Sequence, residues 1–333
     1  MRALITGIGG QDGSYLAEQL LADGQEVVGM VRDRVDRPIA NLEGVRERVT
    51  LVTGDLLDPP SLIAALEVAD PQVVFHLAAP SYVPASWEHP AQVMAAIAGA
   101  TGALLEAARR QDPSIRVVVA SSGAIFGDAD ESPQLETTTP RPATPYAIAK
   151  LAALQLVGVM RKRHGQHASA AIAYNHESIR RPEHFVTRKV TRAAARIAAG
   201  LQEELLLGDL DAIRDWSDAR DIVAGMRLMA AADAPGDYIL ASGVGHTVRD
   251  LVAAAFAVVG LDPADHVRSD PRFIRGPETT PNVGDPSRAR EELGWRPEHS
   301  FEDLIRTMVE ADLASARGEA TASATGASCP PRS

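Results

Sequence analysis

The string TGIGGQDGSYL, running from Thr6 to Leu16, constrains this chain more than any other. It follows an apolar run, Ala3–Thr6, and leads into Ser14–Asp23, where Leu16, Leu20 and Leu21 share a helical face and Gly24 suits the stop. Gly7, Gly10 and Gly13 are spaced G-x-x-G-x-x-G. Glycines in that pattern let the backbone turn tightly and approach a pyrophosphate, whose charge then lies at the positive N-terminus of a helix. Alone the motif is weak, because glycine also ends strands. A strand before it and a helix after it make it specific. Gln11 and Asp12, inside the same turn, are assigned to the same dinucleotide site.

The alternation continues. Glu26–Val31, Val49–Thr53, Val73–Leu77 and Arg116–Ala120 are short apolar runs separated by helical or turn-rich sequence. Continuous apolar strands with helices between them imply a parallel sheet covered on both faces. The expected fold class is therefore α/β, with a Rossmann-type doubly wound parallel sheet over residues 1–174. Beyond about residue 175 the rhythm breaks. Helical patterns at Thr187–Ala199 and Val248–Gly260 dominate, strands shorten to Leu205–Leu207 and Tyr238–Leu240, and Thr247 with Asp250 forms a capping-box signature. Residues 175–317 are expected to form a smaller mixed α/β substrate domain, some of whose segments return to the first. Residues 318–333, small, polar and proline-bearing, are expected to be a disordered tail.

Composition narrows the function. Forty-four acidic against 33 basic residues leave a net charge of −11, the wrong sign for a chain whose main ligand is nucleic acid. The one cysteine, Cys329, lies near the C-terminus, so disulfide scaffolds and structural zinc sites are excluded and no metal is expected. No apolar run approaches the ~20 residues of a membrane span, and the first residues lack the shape of a signal peptide. A cytoplasmic protein without a membrane partner is the expectation.

The second strand's end bears on the cofactor: an acidic residue there suits a ribose 2′-hydroxyl, an arginine a 2′-phosphate. Arg32 followed by Asp33 leans towards NADP and leaves NAD open. Asp55 and Leu56 after the third strand, and Leu77, Ala78 and Ala79 after the fourth, are placed to line adenine and ribose. Tyr146 and Lys150 stand four apart in PYAIAK, on one face of a helix predicted from Pro145 to about His164. An ammonium beside a phenol favours phenolate, which makes the tyrosine a general base near neutral pH. Downstream of a strand ending in Ser121–Ser122, the pair becomes specific. Ser122 would hydrogen-bond the same substrate oxygen.

These motifs resemble those of the extended short-chain dehydrogenase/reductases that act on nucleotide sugars, and among them the GDP-mannose 4,6-dehydratases. The resemblance spans residue 1 to about 315. It is carried by TGIGGQDGSYLAE, PYAIAK, NHESIRR (Asn175–Arg181), FVTRKVTRA (Phe185–Ala193), GDLDAIRDW (Gly208–Trp216), DPRFIRGPE (Asp270–Glu278) and GDPSRAREELGW (Gly284–Trp295). It implies that His176 and Arg181 lie near the cofactor together with Tyr146 and Lys150, and that the cofactor stays bound through turnover. It assigns Ser81, Ser122, Asn175, Lys189, Arg214, Arg275 and Glu278 to the nucleotide-sugar substrate. Cations from separated segments suit a diphosphate.

Several positions depart from that family. The dehydratases carry a glutamate two residues after the catalytic threonine, in a string like STSELYG, to remove the carbon 5 proton. Here the string is SSGAIFG and the position is Ala124. The same string resembles SSxAVYG of the UDP-glucose-type 4-epimerases, which need no carbon 5 base. The loop after Arg32 is shorter than in the dehydratases, which favours a homodimer over a tetramer. Gly276 stands where the family has proline, and His89–Ala100 lacks the family's acidic residues. The expectation is an NAD(P)-dependent nucleotide-sugar 4-epimerase acting on a GDP-mannose-like or heptose substrate. The alternatives are a 4,6-dehydratase with an unusual base, a 4-keto-sugar reductase, and a cofactor-binding regulator without turnover.

Overall fold

A computed structural model describes residues 1–32, 35–273 and 280–324. Through the first half, strands and helices alternate. They are β1 (Arg2–Thr6), α1 (Gln11–Ala22), β2 (Glu26–Val31), β3 (Val49–Thr53), α2 (Pro59–Ala69), β4 (Val73–His76) and α3 (Pro90–Met94). A π turn at Ala95–Gly99 joins α3 to α4 (Ala100–Gln111), and β5 (Arg116–Ala120), α5 (Pro145–His164) and β6 (Ala168–Ala173) follow. The second half holds β7 (Asn175–Glu177), α6 (Val186–Ala198), β8 (Leu205–Leu207), β9 (Ile213–Asp218), α7 (Ala219–Ala231) and β10 (Asp237–Leu240). It ends with β11 (Gly245–Thr247), α8 (Val248–Val259), α9 (Pro263–His266), β12 (Val267–Ser269), α10 (Ser287–Leu293) and α11 (Phe301–Ala324).

Seven strands make one parallel sheet in the order β10-β6-β5-β4-β1-β2-β3. Leu16 and Leu20 of α1, Met226 and Met229 of α7 and Trp295 cover one face. Leu62 and Leu66 of α2, Leu104 and Leu105 of α4 and Val157 of α5 cover the other. Burial on both faces is why these strands read as unbroken apolar runs. The strand order reverses between β1 and β4, and a doubly wound sheet opens its ligand crevice at that point, beyond the carboxyl ends of the strands. The glycine turn, the residues after β4 and Ser121–Ser122 all emerge there.

The remaining strands form a three-stranded sheet, β11-β9-β7, and a pair, β12-β8. A second core packs α6, α8 and α11 around Trp216, Leu251, Phe256, Ile305 and Met308. The capping box on α8 is present, with the Thr247 hydroxyl accepting from the Asp250 amide. Tyr238–Leu240 lies within β10, which pairs with β6 at the edge of the main sheet rather than in the second unit.

Two expectations need correction. Residues 318–324 are not a disordered tail: they continue α11, where Glu319 pairs with Arg192 and Arg196 of α6. Alanine and glutamate are good helix formers, which carries the helix past Gly318. The rest of that tail, 325–333, lies outside the described residues. The chain also holds a helical stretch of 22 residues, Pro90–Gln111, apolar enough by length and composition to cross a membrane, with mean hydropathy 1.3. Alanine supplies much of that hydropathy, and 56% of its most apolar 18-residue window is buried, where it packs on α2 and α5.

Candidate active site

The glycine turn is dictated by contacts. Gly7 has φ +75°, and a Cβ there would lie 2.9 Å from the backbone of Ala78. A Cβ on Gly13 would lie 2.4 Å from the Gly7 carbonyl oxygen, and the Gly10 amide donates to that same oxygen at 3.0 Å. Only glycine keeps the loop this close to α1 and the neighbouring strand end. This is the cradle that a dinucleotide pyrophosphate requires, and the residues fit it.

Beside the cradle, the Thr6 hydroxyl oxygen accepts from the Leu77 and Ala78 amides, each at 3.1 Å, and lies 2.8 Å from His76 Nδ1. With both amides donating to it, the Thr6 proton points at Nδ1. His76 is therefore neutral: burial, then the charge of Lys150, lowers its pKa to about 3. Sequence reasoning passed over this pair because a histidine ending a buried strand carries no motif. Arg32 follows the end of β2, at the same edge of the sheet, while Asp33 lies outside the described residues. The Asp55 carboxylate accepts from the Leu57 amide at 2.9 Å, and the Asp55 amide donates to the Ser61 hydroxyl at 2.8 Å. Leu56 and Leu77 are partly buried against the two sheet cores.

Ser122, Tyr146 and Lys150 come together at the ends of β5 and α5. Thr144 caps α5 by accepting from the Ala147 amide at 3.1 Å, and Pro145 occupies the first turn. That start fixes Tyr146 and Lys150 on the inward face, 8% and 5% exposed. Lys150 donates to the Ala120 carbonyl at 2.7 Å and holds its Nζ 5.8 Å from the phenol ring centre. Burial lowers the Lys150 pKa to about 8, against the opposing pull of Asp12. Burial raises that of the Tyr146 phenol, while the Ser122 hydroxyl and the Arg181 charge pull it down. Ser122 also accepts from the Ala124 amide at 3.2 Å, which starts the short turn Gly123–Ile125.

On one side of Tyr146 runs an ionic network. His176 places Nε2 3.0 Å from Asp12 Oδ2 and Nδ1 2.7 Å from the Tyr174 carbonyl. Burial opposes ionisation of Asp12, yet the charge and hydrogen bond of His176 bring its pKa to about 2. Burial likewise disfavours the His176 cation, and Asp12 outweighs it, so the His176 pKa is raised. Both ring nitrogens thus face acceptors and the ring carries both protons. Gln11 donates to Asp12 at 3.0 Å and to the His176 carbonyl at 3.1 Å. Arg181 pairs with buried Glu177 at 3.0 Å and lies 3.5 Å from the centre of the Phe185 ring. Ser178 escaped sequence reasoning because its partner Gln11 lies 167 residues away in the chain.

The other side is apolar. Val93, Ile97, Ala149 and Ala153 pack around Tyr146, with Ala79, Val83, Met94 and Ala124 against them. Ala124 thus offers no proton acceptor where the family has glutamate. The nearby loop acids are engaged elsewhere: Asp130 pairs with Arg141, and Glu131 accepts from Thr138 at 2.5 Å.

The residues assigned to substrate are spread over several elements. Ser81 is exposed after β4. Asn175 of β7 and Arg214 of β9 sit on paired strands, Asn175 in register with Trp216. Arg214 donates to the Ile213 carbonyl at 2.7 Å. Lys189 of α6 donates to the Leu206 carbonyl at 2.6 Å and stands 4.4 Å over the Phe273 ring. Arg275, Gly276 and Glu278 lie outside the described residues.

The model of the family described as GDP-mannose 4,6 dehydratase matches residues 4–308. The chain is 42% identical to the Arabidopsis thaliana protein named GDP-mannose 4,6 dehydratase 1, covering 95% of this chain and 91% of the relative. It is also 42% identical to the GDP-mannose 4,6-dehydratase of Sinorhizobium fredii, covering 95% and 97%. Among solved structures it is similar to the Thermus thermophilus UDP-glucose 4-epimerase complex with NAD, at TM-score 0.79 and 29% identity, covering 94% and 99%.

Proposed function

The chain belongs to the GDP-mannose 4,6-dehydratase family, and we propose that it oxidises carbon 4 of a GDP-linked hexose with resident NADP and carries the 4-keto sugar on to loss of water across carbons 5 and 6. The observation that carries this reading is the arrangement of buried Tyr146 and Lys150 beside Ser122 in a chain that matches the family almost end to end. When bound, NADP supplies the oxidant for carbon 4, the reductant for carbon 6 and, while oxidised, a positive charge that favours phenolate. Gly7, Gly10, Gln11, Asp12 and Gly13 would hold its pyrophosphate side, Arg32 its 2′-phosphate, and His176 and Arg181 its reacting end. Tyr146 takes the proton from the carbon 4 hydroxyl and Ser122 hydrogen-bonds the same oxygen. Lys150, held by the Ala120 carbonyl, keeps a cation beside the phenol. Asn175, Lys189 and Arg214 would hold the nucleotide sugar.

One observation favours a second reading. Ala124 and its apolar neighbours supply no carbon 5 base, and a 4-epimerase needs none. The experiment is incubation of GDP-mannose with purified protein and catalytic NADP, followed by mass spectrometry and proton NMR. A product lighter by one water with a new methyl doublet is expected. Unchanged mass with altered ring couplings would replace the dehydratase with the 4-epimerase. A homodimer is proposed as the working form, since Ile148, Leu156 and Val159 expose apolar surface along α5.

A further inference from the structure

The segment that carries His176 and Arg181 is fastened to α1 by contacts that no motif announces. Gln11 donates to the His176 carbonyl at 3.1 Å and accepts from the Ser178 hydroxyl at 2.8 Å. One turn further along α1, Arg180 donates to the Ser14 hydroxyl at 3.0 Å and to Glu18 at 2.5 Å. Its guanidinium lies 4.0 Å from the centre of the Tyr15 ring. The Ser178 hydroxyl accepts from the Arg180 amide at 3.0 Å, which folds the segment so that the arginine reaches across. The side chains of Arg180 and Glu18 are 19% and 34% exposed, so this pair is shielded more than an ordinary surface ion pair.

The arrangement has a direction. Helix α1 begins at the glycine cradle, and residues 175–181 carry the side chains assigned to the cofactor's reacting end. On the NADP reading, the seam therefore ties together the two sides of the cofactor site. Gln11 and Asp12 make the inner contacts of this seam, and Arg180 makes the outer one. Neither sheet core includes Arg180.

We propose that Arg180 is a positioning residue that latches segment 175–181 onto α1 and so sets how slowly NADP is released. The inference rests on the reading of the cleft as an NADP site. It fits a reaction that returns electrons to the same sugar, because such a reaction gains from a cofactor that stays in place. A charge-assisted contact broken only on opening acts mainly on the release rate.

The test is stopped-flow release of NADPH fluorescence from preloaded protein chased with excess NADP, alongside thermal melting of the cofactor-free protein. Arg180→Ala is expected to speed release about tenfold or more, Arg180→Lys less, and the exchange Glu18→Arg with Arg180→Glu to recover part of the loss. Equal release rates in wild type and Arg180→Ala would overturn the proposal. So would a lower melting temperature with unchanged release, which would leave Arg180 a support of the fold alone. A wild-type protein that takes up neither NADPH nor NADH would instead overturn the cofactor reading itself. If only NADH binds, the same ratio of release rates is read with NADH and decides the latch.

Discussion

The two walls that flank Tyr146 are built from opposite materials. On the cofactor side, Asp12 pairs with His176 and Arg181 with buried Glu177, all four largely shielded from solvent. On the other, Val83, Met94, Ile97 and Ala124 present hydrocarbon. A phenol between such walls is equipped for one proton transfer, at the oxygen shared with Ser122. Proton removal from a neighbouring carbon would need a second acceptor, and the apolar side chains described around Tyr146 contribute none. The contrast separates the proposed proton transfer at carbon 4, for which Tyr146 and Ser122 are placed, from the later proton removal at carbon 5.

The largest effect should come from the phenol itself. Tyr146→Phe keeps the ring and its packing while deleting the proton acceptor. Turnover should fall about 10²- to 10⁴-fold, with NADPH binding retained in a fluorescence titration. Turnover within about tenfold of wild type would mean that another group takes the carbon 4 proton, and the comparison of walls would lose its centre.

Ala124→Glu alters the apolar wall directly. If that wall lacks the carbon 5 base, the new carboxylate should raise the rate of water loss by about 10²-fold, measured as appearance of the methyl doublet. An unchanged rate in a wild type that already dehydrates would show that a residue elsewhere serves as base. Burial among Val83, Met94 and Ile97 would raise the pKa of the new carboxyl, so the gain should grow as pH rises.

What the sequence discloses follows the same division. The boundaries of β2, β3, β5 and α5 coincide with apolar runs and a cap-and-proline start, because continuous burial and Pro145 are local signals. Strand β6 escapes notice. Its sequence ASAAIA is alanine-rich, which suits a helix, yet every residue is buried between β5 and β10 and tertiary pairing overrides propensity. In the cleft, the glycine turn and the Tyr146–Lys150 spacing are legible, since each is short and bears its chemistry in residue type. The Thr6–His76 pair and the contacts of Arg180 are not. They join positions 70 and more than 160 residues apart, and no spacing rule spans such a gap. The missing carboxylate at Ala124 is legible only against the family pattern; that it is surrounded by hydrocarbon is a fact of the fold.

The smallest expected effect probes the ionic wall. His176 owes its raised pKa to Asp12, working against burial and the Arg181 charge. A raised folded-state value means that this contact stabilises the protein fully below the unfolded histidine value and loses its contribution as pH rises through the folded value. Asp12 has the opposite sense: its pKa, brought down to about 2, gives stability that is present above the unfolded carboxylate value and lost as pH falls through about 2. Asp12→Asn removes the charge and leaves a side chain of the same shape. The His176 ring should then titrate at lower pH than in wild type, read from its Hε1 resonance, and the alkaline loss of stability should begin at lower pH. An unmoved His176 titration would show that the Asp12 charge does not set the histidine's pKa, and the cofactor-side wall would then be polar without being ionically coupled.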